Sequence, residues 1–289
     1  MRAIWLHVHV PKAGGSTLRQ LMNRTFGDGY YNSNSLLETR QYTRDEVSEI
    51  IRCHPWLTGF SDHKLSLDLP FESEHADVHA LCFVRNPVDR FVSRFFFHRN
   101  FEEVNCIAQK MTFREFANAE LVEKYVHPQT NSQIYFLNGG EDDCSLNVVE
   151  QAIATDKTFL FPIERFDEAC ICLEKLFPET FNDLSYVRIN TSNRQDKIEE
   201  SDREFVSEML AKDFPVTQLA DHELNNCLQK TFDSLQDRTT ALADFQDRCS
   251  RRYHNFRPLR GKDEPLPTDD EKSQDKSTNK PIHTNPAKD

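Results

Sequence analysis

The segment His9-Val10-Pro11-Lys12-Ala13-Gly14-Gly15-Ser16-Thr17-Leu18 carries an apolar run through a Lys-Gly-Gly-Ser-Thr turn into an amphipathic stretch. Its chemistry is anion binding. Gly14 and Gly15 let backbone amides face one concavity, Ser16 and Thr17 add hydroxyl donors, and a helix starting there offers its open N–H groups and positive dipole end. Lys12 adds a full charge. A Gly-Gly-Ser-Thr string alone is equally compatible with a plain strand–turn–helix. The nucleoside-triphosphate loop, GxxxxGK[ST], differs in mechanism: its Lys follows the second glycine so as to reach the β- and γ-phosphates. Here Lys12 precedes both glycines.

A second cluster follows the run Ala80–Val84. Arg85-Asn86-Pro87-Val88-Asp89-Arg90-Phe91-Val92-Ser93-Arg94 sets three arginines and a serine around a turn whose Pro87 suits the first position of a helix. A magnesium-dependent NTPase needs an Asp at the end of such a strand. Arg85 stands there instead and favours an unchelated phosphate held by paired hydrogen bonds, with Ser93 as a further donor. Surface ion pairing, with Asp89 at hand, is the plain account of Arg90 and Arg94, and is adopted for Arg94.

Elements that hold two such turns at one edge are visible along residues 1–257. β-rich runs at Ile4–Val10, Trp56–Phe60, Val78–Val84, Thr158–Ile163 and Ser185–Ile189 alternate with helical spacing. Capping boxes Thr43–Glu46 and Thr112–Glu115 open two of the helices. Three more helices are expected near 202–213, 218–237 and 240–255. The alternation predicts an α/β fold with a mainly parallel central sheet flanked by helices. Ligands in such sheets bind at the carboxyl ends of the strands, so two anion turns there suit a ligand with phosphates at both ends.

From Pro258 to Asp289 the composition shifts to Pro, Lys, Asp, Ser and Thr, with five of the 13 prolines, and predicts a disordered tail. Among 289 residues, 47 Asp plus Glu face 35 Lys plus Arg, a net charge of −12 that argues against holding nucleic acid by bulk charge. No apolar run nears the roughly 20 residues of a membrane span, and Ile4–Val10 is too short and His-rich for a secretory signal. Eight scattered cysteines without a CxxC pair point to reduced thiols and no zinc framework, hence a cytoplasmic location.

Together the two turns resemble the sulfotransferase superfamily that uses 3′-phosphoadenylyl sulfate (PAPS), with the closest likeness to the carbohydrate branch related to heparan sulfate 2-O- and 6-O-sulfotransferases. Pro11–Thr17 is similar to that family's 5′-phosphosulfate loop, and Arg85–Ser93 to its Arg-x-Pro-x-x-Arg-x-x-Ser 3′-phosphate motif. Weaker likeness runs through Asn131, Glu164–Asp167 and Asn190–Arg194 and ends near residue 195. The resemblance implies that Lys12 touches the bridging oxygen, that Ala13, Gly14, Gly15, Ser16 and Thr17 hold the 5′-phosphate, and that Arg85 and Ser93 hold the 3′-phosphate. Arg194 is expected near adenine or the 3′-phosphate. It implies no metal.

The acceptor hydroxyl needs a base. Relatives place it in a Gly-His pair; this chain has Gly59-Phe60-Ser61-Asp62-His63, so His63, beside Asp62, is favoured and His54 is second. His7 and His9 read as packed residues. His98 and His127 read as structural first, cleft-lining second. The expected reaction is sulfuryl transfer to a hydroxyl of a carbohydrate or small molecule, and the acidity disfavours a heavily sulfated polymer. The alternatives are a kinase with an altered phosphate loop and a non-catalytic nucleotide- or glycan-binding descendant. Oligomeric state is left open.

Overall fold

The computed structural model describes residues 1–33, 41–100, 108–122, 132–139, 145–187 and 197–255. These fall within one compact unit, Met1–Asn255. The expected tail, 258–289, lies outside the described residues.

Five strands, β1 (Ala3–Val8), β2 (Tyr30–Asn32), β3 (Gly59–Asp62), β4 (Asp77–Val84) and β5 (Thr158–Pro162), form one sheet in the order β2-β3-β1-β4-β5. Every pairing is parallel. Val8 lies opposite both Asp62 and Cys82, and Val84 lies opposite Pro162, so the turns after β1, β3, β4 and β5 leave from one edge. That register brings residues 9–14, 63, 85 and 163 together although they are far apart in sequence. Because β1 is central, with β3 on one side and β4 on the other, the crevice of an α/β sheet opens at its carboxyl end.

Helices cover both faces, which is why the strands read as almost unbroken apolar runs. Ile4, Leu6, Val8, Phe60, Val78, Ala80 and Leu160 bury one face, against α2 (Arg44–Cys53) and α6 (Asn147–Ile153). Trp5, Leu81, Phe83 and Phe161 bury the other, against α1 (Gly15–Phe26), α7 (Phe166–Leu176) and α10 (Leu235–Asn255). Val216 and Ala220 of α9 (Phe214–Thr231) join the first core while Leu224 and Leu228 join the second, so this helix wraps the β5 side. A third cluster, Phe91, Phe95, Phe113, Phe116, Val206 and Leu210, locks α3 (Pro87–Asn100) to α4 (Phe113–Ala117) and α8 (Glu200–Met209). Between α4 and α6 lies α5 (Gln133–Leu137).

Both capping boxes form, at Thr43 and Thr112. Three expectations shift. The strand expected at Trp56–Phe60 starts at Gly59, because Leu57 N–H closes a turn onto the His54 carbonyl (3.0 Å). Ser185–Tyr186 form no strand; the Ser185 hydroxyl accepts from Arg252 Nε (2.9 Å) and Tyr186 N–H donates to Cys249 Sγ (3.3 Å), which ties them to α10, while 188 and 189 lie outside the described residues. The helix expected at 218 starts at Phe214, with Pro215 in its first turn. The three-residue β2 had no sequence signal. Among the described residues no helix is long and apolar enough to cross a membrane.

Candidate active site

The turn after β1 is built by backbone conformation. Gly14 precedes α1 at φ 81°, with no side chain capping the helix, so the positive end of the helix faces the turn. A Cβ on Gly14 would overlap the Ile163 side chain, and one on Gly15 would overlap the His9 ring. Only glycine fits either place. Lys12 itself takes a left-handed φ of 66°, which costs a residue with a side chain on the order of 1–2 kcal/mol and is typical of a functional turn. Its ammonium lies over the Phe97 ring of α3, 4.1 Å from the centroid.

The turn after β4 is built by side chains. Asn86 Oδ1 accepts from Val88 N–H (3.1 Å) and Asp89 N–H (3.2 Å), capping α3, and Asn86 N–H donates to Glu164 Oε1 (2.8 Å). Arg85 is held by Gln133: its N–H donates to Gln133 Oε1 (2.8 Å) and its carbonyl accepts from Gln133 Nε2 (2.7 Å). Arg85 Nη1 then donates to the Lys12 carbonyl at 3.3 Å, joining the two turns. Arg90, only 1% exposed, donates Nη1 to the Pro11 carbonyl (3.4 Å). Burial pulls its pKa down to about 10, opposed by Asp213.

Beside the first turn three imidazoles stack. His9 lies 3.9 Å from His63 and 4.8 Å from His7, centroid to centroid. His63 Nδ1 is 2.7 Å from the His9 carbonyl oxygen. A carbonyl only accepts, so Nδ1 carries the proton and Nε2 keeps a lone pair, the form a general base needs. Burial lowers all three pKa values, His7 to about 3; at His63 the His9 carbonyl and Asp62 oppose the effect while Arg19 on α1 adds to it. His7 and His9 are buried, and His63 keeps partial exposure.

The sulfotransferase family model matches residues 5–261. The chain belongs to the sulfotransferase family. Its members move sulfuryl groups, and the match runs well past residue 195, where the sequence resemblance stopped. Among solved structures the chain is similar to a sulfotransferase from Alicyclobacillus acidocaldarius, at 14% identity and a TM-score of 0.45, covering 77% of this chain and 97% of that one. No curated protein matches.

In this sulfotransferase the fold gathers Lys12, Ala13, Gly14, Gly15, Ser16, Thr17, His63 and Arg85 at the carboxyl edge; Ser93 sits half-buried on α3, three residues past Arg90. It does not bring His54 there. The His54 carbonyl accepts from Arg2 Nη1 (2.7 Å), and Arg2 precedes β1, so His54 lies at the amino edge, the length of a strand (roughly 20 Å) from Lys12. Its ring packs edge-on against Trp56. Arg194, Asn131 and His127 lie outside the described residues. His98 neighbours Lys12 electrostatically: burial, then Arg94 and Lys12, depress its pKa to about 4.

One reading of the arginines is corrected, that of Arg94. Arg94 makes a buried pair with Glu120 (2.9 Å) rather than a surface pair with Asp89, which instead takes Arg203 (2.8 Å); Arg90 is a buried brace of the Pro11 turn. Asp62 adds charge near His63 without bonding to it, since its oxygens accept from Lys64 N–H (2.9 Å) and the Tyr42 hydroxyl (3.2 Å). It ends β3, the strand next to β1. Gln133, Asp213 and Phe97 are the site residues that sequence reasoning missed. The one available hint was the Asp213-Phe214-Pro215 helix start.

Proposed function

We propose that this sulfotransferase moves the sulfuryl group of PAPS to a hydroxyl of a carbohydrate or glycan-like acceptor of low charge. The observation that carries the reading is the Arg85–Lys12 contact, which couples two anion turns at one sheet edge and so suits a donor with phosphate at both its 5′ and 3′ positions.

In this reading the Gly14–Thr17 backbone and hydroxyls hold the 5′-phosphate, Arg85 and Ser93 hold the 3′-phosphate, and Lys12 meets the bridging oxygen. The acceptor oxygen attacks sulfur in line and its proton passes to His63 Nε2. The bond between sulfur and the bridging oxygen breaks, and 3′,5′-adenosine bisphosphate leaves with the electron pair, its new charge met by Lys12 and the first-turn amides of α1. Neutral His63 is ready at pH 7 because burial disfavours its cation. No metal has a part in these steps.

The acidic body, −12 overall, supports an acceptor without many sulfates. Among the described residues Cys53, Cys82, Cys170, Cys172, Cys227 and Cys249 are free thiols, which supports a reducing cytoplasm as its setting. The test is transfer of radiolabelled sulfate from PAPS to a panel of sugars and small hydroxyl acceptors. Lys12→Ala should lower the rate by about 10²–10³-fold, the scale of losing one preorganised charge-stabilising group; equal rates in wild type and variant would remove Lys12 from the mechanism.

A further inference from the structure

Arg85 is the residue on which donor selection rests in the reading above, and its backbone is held by a residue from outside its own segment. That task falls to Gln133, 48 residues away, which is fully buried (0% exposed). Its amide oxygen takes the Arg85 N–H and its amide nitrogen meets the Arg85 carbonyl, a reciprocal pair that needs a donor and an acceptor side by side on one group. Gln133 is in turn held at its own backbone. Asp213, 1% exposed, accepts Gln133 N–H at 2.8 Å, the Ser132 hydroxyl at 2.7 Å and Ile134 N–H at 3.3 Å. The same carboxylate also bears electrostatically on Arg90, the brace of the first turn.

We infer that Gln133 is a positioning residue that sets the Arg85 backbone and thereby gives the site its preference for nucleotides with a 3′-phosphate. The inference rests on the proposed role of Arg85. A guanidinium fixed at its backbone end loses less freedom on meeting phosphate, so the gain falls on the 3′ end of the ligand and leaves the 5′ turn untouched. Gln133 touches no ligand itself.

The test uses the full chain and two nucleotides, 3′,5′-adenosine bisphosphate and adenosine 5′-phosphosulfate, which lacks the 3′-phosphate. Gln133→Met keeps the volume and loses both hydrogen bonds. It should weaken bisphosphate binding about tenfold, the worth of two modest hydrogen bonds, and change 5′-phosphosulfate binding less than about twofold. Exchange of the Arg85 amide hydrogen should quicken in the same variant. Equal weakening of both nucleotides, or an Arg85 amide that stays slow, would overturn the inference.

Gln133→Glu adds a readout that a purely structural role would not move. A protonated carboxyl reproduces the amide's donor and acceptor, whereas a carboxylate turns a second acceptor toward the Arg85 carbonyl. Bisphosphate affinity relative to wild type should therefore recover as pH falls from 8 to 5.5, and a flat ratio would count against the proposal. This variant also serves if Gln133→Met does not fold. If the wild type itself shows no preference for the bisphosphate, the donor reading fails, and Arg85 amide exchange alone then decides whether Gln133 sets that backbone.

Discussion

In the proposed function the turns after β1 and β4 serve one ligand by opposite means. The first is made of conformation: Gly14 at positive φ, Gly15 flush against His9 and an uncapped helix start, all within a few residues. The second is made of partners, because Arg85 takes its place from Gln133 and, one step further out, from Asp213. A turn of the first kind fails when any side chain is added. The second kind fails when a remote side chain is lost, and it fails selectively.

Four substitutions and one pH profile press on that contrast. The largest effect is expected at the proposed base stacked beside the first turn: His63→Ala should lower the transfer rate by about 10²–10⁴-fold, the usual worth of a general base. In the wild type, kcat/KM should fall on the acid side with a midpoint below the ordinary histidine value of 6.5, since protonation of Nε2 removes the acceptor and burial has lowered that pKa. A midpoint above 6.5 would point to another base.

Next comes Gly15→Ala, whose methyl would overlap the His9 ring. Overpacking of that kind costs about 1–3 kcal/mol and should cut binding of every 5′-phosphorylated nucleotide by on the order of 10–100-fold, with or without a 3′-phosphate. Calorimetry with both ligands reads this directly. Arg85→Lys should act on one ligand only, weakening the bisphosphate about tenfold, because an ammonium cannot reproduce a paired guanidinium–phosphate contact. If it weakened both ligands alike, the two turns would be one unit. The smallest effect is expected at His54→Gln, with transfer within about twofold of wild type, since that side chain stands at the amino edge.

These differences also explain how far the sequence could be read. The first turn was legible because its instructions are local: glycines, a lysine and a helix start in one string. Arg85, Asn86 and Pro87 were legible as a helix-starting turn for the same reason. Gln133 and Asp213 were not, because their meaning lies in partners 48 and 80 positions away. His63 and His54 could be ranked but not placed, since both flank β3 and only the pairing register shows that one leaves the carboxyl edge while the other faces the amino edge. The arginines misled for a related reason. Asp89 in the same stretch of helix suggests a surface pair, and it took the packing of α3 against the Glu120 segment to bury Arg94. The sheet, by contrast, was largely readable, because strands buried on both faces announce themselves by apolar content alone.

The perch of Lys12 over Phe97 has a consequence for turnover. An ammonium resting on an aromatic face gives up about 0.5–2 kcal/mol when an anion draws it away. In the proposed reaction that sum is subtracted from the grip on the spent nucleotide as well as on the incoming donor. Phe97 would thus work against product inhibition, offering the lysine somewhere to return to when the bisphosphate departs.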